Sequence, residues 1–402
     1  MDRVIERPKP DAREMLILSL LILLLITGSY WRNEVWNSEA ELWMDCVKKS
    51  PGKDRPHNNL GTVFLTQRKY QEAANQYHEA LRINPKLAEA HYNIGNVFFN
   101  QGKYQEAMDK YNEALRINPN LAEAHNHLGN VFLKQGKYQE ATNQYNEALR
   151  INSNDAEAHN NLGNVFLSQG NYEGAIKKYN EALRINPDYA EGVNNLGNVF
   201  LSQGNYEGAI RKYTEALRIN PNLPEAHNNL GNAFLKQRRY EEAIPYLNEA
   251  LRINPDFAEA HNNLGNVLSN QGKYQEAIPH LIEALRINPH FAEPHNNLGN
   301  VFLSQRKYRE AANQYNEALR INPNFPEAHN NLGAVFFNQG KYQEAIVHFN
   351  EALRINPNYA EAHNNLGSAY LMIGNRALAL KEYEILKTIN PGLASALYQK
   401  IK

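Results

Sequence analysis

One motif recurs every 34 residues along most of the chain. It reads AEAHNNLGNVF at residues 156–166, and close copies of it fill residues 54–393 as ten consecutive units. The units begin at Asp54, Ala88, Ala122, Ala156, Ala190, Pro224, Ala258, Ala292, Pro326 and Ala360. A unit of this length is too small to bury its own apolar face, so it gains stability only by stacking on its neighbours. The repeat therefore predicts one elongated array rather than the two or three globular domains that 402 residues usually form.

Each unit is predicted to hold two amphipathic helices. In the second unit, apolar residues recur at helical spacing on both sides of Gly102, which suits the left-handed turn that ends a helix. A second break follows at Pro119, whose ring cannot continue a helix. We call the two helices of a unit A and B, and we number positions from the first residue of each unit. Arg68, Arg238 and Arg306 stand where glycine is commoner at the first break, and we expect them to loosen that turn.

The apolar and small residues of each unit fall at fixed positions. In the fourth unit these residues are Leu162, Gly163, Phe166, Ala175, Tyr179, Ala182 and Pro187. They match the signature of the tetratricopeptide repeat, and the chain resembles that family over residues 54–393. The resemblance implies an all-α fold, a right-handed superhelical α-solenoid of about ten helix pairs. It also implies that the A helices line the concave side.

Both flanks of the array are predicted to be helical. Residues 32–53 are predicted to form a linker and a capping half-repeat, because Trp43 and Pro51 keep the frame of a B helix. Residues 394–402 are predicted to form a C-terminal capping helix. Ahead of the linker, residues 1–14 form a polar N-terminal tail, and residues 15–26 read MLILSLLILLLI without a charge.

The apolar run at residues 15–26 predicts attachment of the chain to a membrane. Residues 15–31 are predicted to form one transmembrane helix, with an alternative interpretation as a cleaved signal peptide. Tyr30 and Trp31 fit an aromatic belt at the end of such a helix. The basic residues of the tail favour a cytoplasmic N-terminus, and this orientation places the repeats outside the cytoplasm. We therefore expect a single-pass membrane protein with periplasmic or lumenal repeats.

Asparagine occupies two positions of the A helices, six and nine, that lie outside the apolar stripe and share one face. These asparagines are Asn59, Asn93, Asn161, Asn195, Asn229, Asn263, Asn297, Asn331 and Asn365 at position six, and Asn96, Asn130, Asn164, Asn198, Asn232, Asn266 and Asn300 at position nine. His127 interrupts the first row, and we expect it to titrate near neutral pH. An amide offers two donors and an acceptor, which matches an extended peptide backbone. We predict that these side chains bind a guest peptide; the alternative is that they bridge adjacent helices.

Two further resemblances bear on function. The asparagine rows are similar to those in the repeats of O-linked N-acetylglucosamine transferases. The passage from Trp31 through Trp43 into residues 55–61 resembles the C-terminal repeat region of multi-span glycosyltransferases that use lipid-linked sugars. In that family the repeats are extracytoplasmic. The chain lacks the catalytic segments of that family, so the resemblance implies a glycosyltransferase partner rather than a transferase.

Composition excludes several classes of function. Basic and acidic residues nearly balance, with a formal net charge of -1, so a nucleic-acid partner is not expected. Histidines recur at position four, a whole repeat apart, which predicts packing rather than a metal site. Polar residues repeat with the units, whereas catalysis needs a unique constellation, so we predict no enzyme and no cofactor.

We predict a membrane-anchored scaffold that binds an extended peptide or partner protein in an asparagine-lined concave groove. One alternative is an accessory or substrate-presenting subunit of a protein glycosyltransferase. Another is a structural module that assembles with copies of itself. The oligomeric state is open.

Overall fold

A computed structural model describes residues 11–34 and 38–402, and within them the chain forms 23 α-helices and no strand. Three helices flank the repeats: α1 (Ala12–Glu34), α2 (Glu39–Lys49) and α23 (Pro391–Ile401). The A helices are α3 (Asp54–Thr66), α5 (Ala88–Asn100), α7 (Ala122–Lys134), α9 (Ala156–Ser168), α11 (Ala190–Ser202), α13 (Pro224–Lys236), α15 (Ala258–Asn270), α17 (Ala292–Ser304), α19 (Pro326–Asn338) and α21 (Ala360–Met372). The B helices are α4 (Tyr70–Ile83), α6 (Tyr104–Ile117), α8 (Tyr138–Ile151), α10 (Tyr172–Ile185), α12 (Tyr206–Ile219), α14 (Tyr240–Ile253), α16 (Tyr274–Ile287), α18 (Tyr308–Ile321), α20 (Tyr342–Ile355) and α22 (Arg376–Ile389). The prediction of an all-α array of helix pairs is confirmed.

The chain divides into two compact bodies, Met1–Asn186 and Pro187–Lys402. Within each body, every A helix packs on its own B helix, and every B helix packs on the A helix of the next unit. Successive A helices also touch within each body. The second body ends with α23, which packs on both α21 and α22. This is the solenoid-like order that the repeat predicts, because each unit covers the apolar face of its neighbour.

A glycine at position eight of helix A lets an aromatic ring lie directly against the helix backbone. A methyl group built on Gly163 would lie 2.5 Å from Cε1 of Tyr179, which is fully buried. The same contact recurs at Gly129 with Tyr145 and, with a different aromatic residue, at Gly333 with Phe349. Because a side chain at position eight would collide with this ring, the cost of glycine in a helix, about 1 kcal/mol, is offset by packing.

The turn between the helices of a unit needs a left-handed residue. Gly102 has a φ of 73°, as predicted, and Arg68, Arg238 and Arg306 adopt φ values of 57°, 59° and 59° at the same place. The arginine units therefore keep the turn rather than loosen it. A side chain in this conformation costs about 1–2 kcal/mol.

The prediction of a transmembrane anchor at residues 15–31 is wrong, and so is the single-pass localisation that rested on it. Among the described residues, no helix combines the length and the apolar character needed to cross a bilayer. The uninterrupted apolar run covers only residues 15–26, about 18 Å of helix at roughly 1.5 Å per residue. The hydrocarbon core of a bilayer is about 30 Å thick. Residues 1–10 of the predicted polar tail (residues 1–14) lie outside the described residues. The side chains of Tyr30 and Trp31, the predicted aromatic belt, also lie outside the described part of the chain.

The last unit contains a buried charged pair. His363 Nδ1 lies 2.5 Å from Oε2 of Glu382, and His363 Nε2 lies 2.9 Å from the carbonyl oxygen of Pro357. Burial alone lowers the pKa of His363, but the Glu382 carboxylate and the Pro357 carbonyl raise it, and the net pKa lies above the ordinary value of 6.5. In the eighth unit the neutral Gln314 occupies the position of Glu382.

We expect Gly163→Ala to weaken the fourth unit. The new methyl group displaces the Tyr179 ring, at a cost of about 1–3 kcal/mol that exceeds the gain in helix propensity. Native-state hydrogen exchange in α9 and α10 measures this loss. Gly52→Ala is the control, because a methyl group there meets nothing within 4 Å. Equal exchange rates in the two variants would contradict the account.

The His363 pair predicts a pH dependence at the end of the array. Since the pKa of His363 is raised on folding, its stabilising contribution is complete below pH 6.5 and is lost as the pH rises through the folded pKa. Hydrogen exchange in α21 and α22, corrected for intrinsic rates, should show falling protection over this range. Glu382→Gln reproduces the partner found in the eighth unit and should remove the trend. A trend that persists in this variant would show that another group titrates.

Candidate functional site

The position-six asparagines join successive A helices. Within each body, the side-chain Nδ2 of position six donates a hydrogen bond to Oδ1 of the asparagine at position five of the preceding unit. The seven bonds are Asn93 to Asn58, Asn161 to Asn126, Asn229 to Asn194, Asn263 to Asn228, Asn297 to Asn262, Asn331 to Asn296 and Asn365 to Asn330, at 2.9–3.1 Å. The acceptors at position five are only 3–8% exposed. One part of each position-six amide therefore bridges helices.

The position-five asparagines were missed in the sequence, although a signal for them was present. Asn228 and Asn229 are adjacent, and the same doublet recurs in most units. Buried amides need partners, and a buried row one residue before an accessible row implies that each supports the other. Asn59 stands in the first unit, where α2 supplies no such acceptor. It makes no hydrogen bond to another side chain among residues 11–34 and 38–402.

The bridging bond leaves the oxygen of the position-six amide unpaired in some units but not in all. Oδ1 of Asn229 and Oδ1 of Asn331 accept from Nδ2 of Asn228 and Nδ2 of Asn330. The Oδ1 atoms of Asn263, Asn297 and Asn365 accept no hydrogen bond within the described part of the chain. Since the Nδ2 hydrogen bond fixes the orientation of the amide, the free oxygen is held in one direction rather than rotating. Each of these side chains is therefore anchored at one end and unpaired at the other, although Asn297 is only 8% exposed.

The position-nine asparagines are held from the opposite side, by the tyrosine that packs on position eight. The tyrosine hydroxyl donates to Oδ1 of the asparagine in five units: Tyr111 to Asn96, Tyr145 to Asn130, Tyr179 to Asn164, Tyr213 to Asn198 and Tyr315 to Asn300, at 2.7–2.8 Å. In the first unit Tyr77 donates to Thr62, and burial raises the pKa of Tyr77 to about 12. The phenol is therefore a donor at neutral pH. The NH₂ groups of Asn130, Asn164 and Asn300 have no partner among the described residues, whereas that of Asn198 donates to Oδ1 of Asn195.

Positions six and nine of neighbouring units meet in the second body. Asn229 Nδ2 lies 3.1 Å from Oδ1 of Asn198, and Asn331 Nδ2 lies 3.1 Å from Oδ1 of Asn300. Asn266 at position nine and Asn297 at position six of the next unit line a common cleft. The two rows predicted from sequence therefore adjoin one another here, on the A helices.

His127 replaces the amide bridge with an aromatic contact. Its ring lies edge-on to Tyr92, which occupies position five of the preceding unit, with ring centroids 5.3 Å apart. Tyr111 also contacts the ring, at 5.9 Å. Burial lowers the pKa of His127 to about 4, so the expectation that it titrates near neutral pH is wrong. The substitution at position six is matched by a substitution at position five.

The position-four histidines brace the loop before each A helix. Nε2 of His91, for example, lies 3.2 Å from the carbonyl oxygen of Pro85, and Nε2 of His227 lies 2.9 Å from that of Pro221. The position-four histidine of the seventh unit makes the same contact with Pro255. A repeated bond to a loop carbonyl accounts for a histidine here through packing alone.

Three units have another residue in place of the tyrosine that holds position nine. Leu247 and Leu281 occupy its place in the sixth and seventh units and are fully buried against the A helices. Asn232 consequently has no hydrogen-bond partner among the described residues, and Asn266 has a different one. In the ninth unit Phe349 stands opposite Ala334, so both polar groups are lost together.

Family models of repeat proteins match the chain in several places. The model described as Cilia and flagella-associated protein 70 C-terminal domain matches residues 121–325, just over half of the chain. A TPR repeat model matches residues 61–102, 95–136 and 335–374, and a further tetratricopeptide repeat model matches residues 314–347. Among the curated proteins, none matches the chain.

Two solved structures are similar to the chain. The crystal structure of the APC/C hetero-tetramer Cut9–Hcn1 is similar with a TM-score of 0.58 and 16% identity, over 94% of this chain and 94% of that chain. A structure of pilF from Pseudomonas aeruginosa has a TM-score of 0.45 and 25% identity, over 53% of this chain and 97% of that one. The predicted glycosyltransferase partner finds no support in these similarities, and the absence of enzyme activity stays a prediction.

The first similarity shows the fold, and the family models show the repeat. Together with the helix pairs, the glycine–tyrosine contacts and the ten-fold period, they confirm the resemblance seen in the sequence. The chain belongs to the tetratricopeptide-repeat family, and to the group of repeats that the CFAP70 C-terminal domain model describes.

Proposed function

We propose that the chain is a scaffold that binds an extended polypeptide along the asparagines of its A helices. The observation that carries the proposal is that these amides are fixed on one side and available on the other. Asn263 donates to Asn228 and keeps its Oδ1, whereas Asn164 accepts from Tyr179 and keeps its NH₂ group. Where the second end of the amide is unpaired, as in these two residues, position six offers an acceptor and position nine offers a donor. Asn229 and Asn331 are exceptions, because their Oδ1 atoms accept from Asn228 and Asn330.

This arrangement suits a peptide backbone. An extended chain presents N–H and C=O groups in alternation, and it needs both acceptors and donors along its length. Side chains that are already held in one rotamer lose little entropy on binding, about 0.5–1.5 kcal/mol less for each than free ones. The amides also carry no charge, so they discriminate little between guest sequences. A row of such groups supports capture of a backbone rather than of one particular motif.

The similar fold of Cut9 is consistent with a role in protein assembly. Cut9 was crystallised in a hetero-tetramer with Hcn1. We propose only the general property for this chain, namely contact with another polypeptide through the repeats.

The alternative is that the amides serve the stacking of helices and nothing else. The bridging bonds support this alternative for one end of each side chain. It leaves the unpaired Oδ1 atoms of Asn263 and Asn365 and the unpaired NH₂ group of Asn164 without a purpose. Asparagine is also a poor helix residue. The two roles are compatible, and they separate experimentally at position nine.

The ninth unit provides a natural template for the test. There Ala334 and Phe349 replace the asparagine and the tyrosine, so that neither polar group is left without a partner. Copying this pair into the second, third and fourth units removes three amides from the face. The six substitutions are Asn96→Ala, Tyr111→Phe, Asn130→Ala, Tyr145→Phe, Asn164→Ala and Tyr179→Phe.

We expect this variant to bind unfolded polypeptide at least tenfold more weakly than the unmodified chain. Each lost hydrogen bond is worth about 0.5–1.5 kcal/mol. The probe is reduced, carboxymethylated α-lactalbumin carrying a fluorescent label, followed by anisotropy, and circular dichroism at 222 nm should remain unchanged. The control carries the three Tyr→Phe substitutions alone; because it keeps the three amides, it should bind more tightly than the six-fold variant. Unchanged affinity in the six-fold variant would mean that the amides only join helices.

A further inference from the structure

The seventh unit departs from the other nine at one end of its A helix. Position twelve is serine, Ser269, whereas the remaining units carry a large apolar residue there: Leu65, Phe99, Leu133, Leu167, Leu201, Leu235, Leu303, Phe337 and Leu371. The same unit carries Leu281 in place of the tyrosine that otherwise holds position nine. No other unit combines a small polar residue at position twelve with the loss of this tyrosine.

Both departures change the surroundings of Asn266. Because Leu281 has no hydroxyl group, Oδ1 of Asn266 accepts instead from Nδ2 of Asn270, at 2.7 Å. Asn270 also donates to the backbone carbonyl of Asn266, at 2.8 Å, which holds the two side chains together. The NH₂ group of Asn266 has no acceptor among the described residues. Ser269 also lines the space beside these amides with a smaller side chain than the leucine or phenylalanine of the other units.

These residues form a cleft between α15 and α17 with a volume of about 400 Å³. Its walls include Asn266, Ser269 and Asn270 from α15, and Asn297 and Asn300 from α17. Tyr274 from α16 completes one side. None of the lining residues is charged.

The cleft exposes hydrogen-bonding groups of both kinds. Donors without a partner in the described residues are the NH₂ groups of Asn266 and Asn300 and the hydroxyls of Ser269 and Tyr274. Acceptors without a partner are Oδ1 of Asn297, whose Nδ2 is bound to Asn262, and Oδ1 of Asn270. A guest that fills this space must therefore both accept and donate.

We propose that this cleft receives the side-chain carboxamide of an asparagine or glutamine of the bound polypeptide. A carboxamide has one acceptor and two donors, so it can satisfy the NH₂ group of Asn266 and Oδ1 of Asn297 together. An apolar side chain would leave these groups dehydrated and unpaired. A carboxylate or an ammonium group would lose water without meeting an opposite charge. The inference rests on the proposed function and adds a side-chain preference to it.

The test uses the full chain and a set of fluorescein-labelled peptides of 14 residues. Each peptide alternates alanine and serine and carries one central residue, which is glutamine, leucine, glutamate or lysine. Anisotropy titrations should show that the glutamine peptide binds about tenfold more tightly than each of the others, as expected for a polar site that rejects guests lacking its hydrogen bonds.

Returning the seventh unit to the common sequence gives the matched variant. Ser269→Leu with Leu281→Tyr should abolish the preference, so that the glutamine and leucine peptides bind with equal affinity. Leu247→Tyr in the sixth unit is the control. That unit has Leu235 rather than a serine at position twelve, and the substitution leaves the residues of the cleft unchanged, so the preference for glutamine should remain.

The outcomes separate this inference from the proposed function. If the chain binds labelled α-lactalbumin but binds the four peptides equally, the cleft has no side-chain preference and this inference alone fails. It also fails if the preference survives Ser269→Leu with Leu281→Tyr. If neither α-lactalbumin nor any peptide binds, the proposed function fails as well.

Discussion

The hydrogen bond from position six of one unit to position five of the preceding unit governs how the asparagines can be used. It consumes one end of each amide, as in Asn263 with Asn228 at 2.9 Å, and it buries the acceptor. Hydrogen bonds between polar side chains therefore join successive units, in addition to the contacts of the apolar core. The same bond orients the remaining end of the donor. The structural role of these amides therefore does not exclude the role in recognition that we propose for them.

In six units a buried tyrosine connects the apolar core to the polar residue at position nine of helix A. Its ring fills the space left by glycine at position eight, and its hydroxyl reaches the asparagine one residue further along helix A. Where leucine takes its place, the packing against glycine is kept but the hydroxyl is lost. A single substitution in the core, such as Leu281, therefore changes the polarity of the surface without disturbing the fold. Units therefore differ in the free polar groups at position nine because of buried residues, which a comparison of exposed residues alone would not include.

Much of the fold was predictable from the sequence, because a 34-residue period with fixed glycine, alanine and proline positions permits few solutions. The rows at positions six and nine were also predictable, because their spacing gives a common face. The buried row at position five was not, since its partners lie 35 residues away and only the stacking geometry shows which amide faces which. Tyr92 and His127 illustrate the same limit, because each looks like an isolated exception until the two rings are seen together. The anchor was predicted wrongly because a strongly apolar run was counted together with the mixed residues that follow it.

A crystal structure of the full chain bound to a labelled unfolded polypeptide would test the central claim most directly. The account predicts that guest backbone groups lie about 2.7–3.2 Å from Oδ1 of position six and Nδ2 of position nine. It also predicts that the bonds from position six to position five remain intact. A guest bound away from the A helices, or bound only after those bonds break, would contradict it.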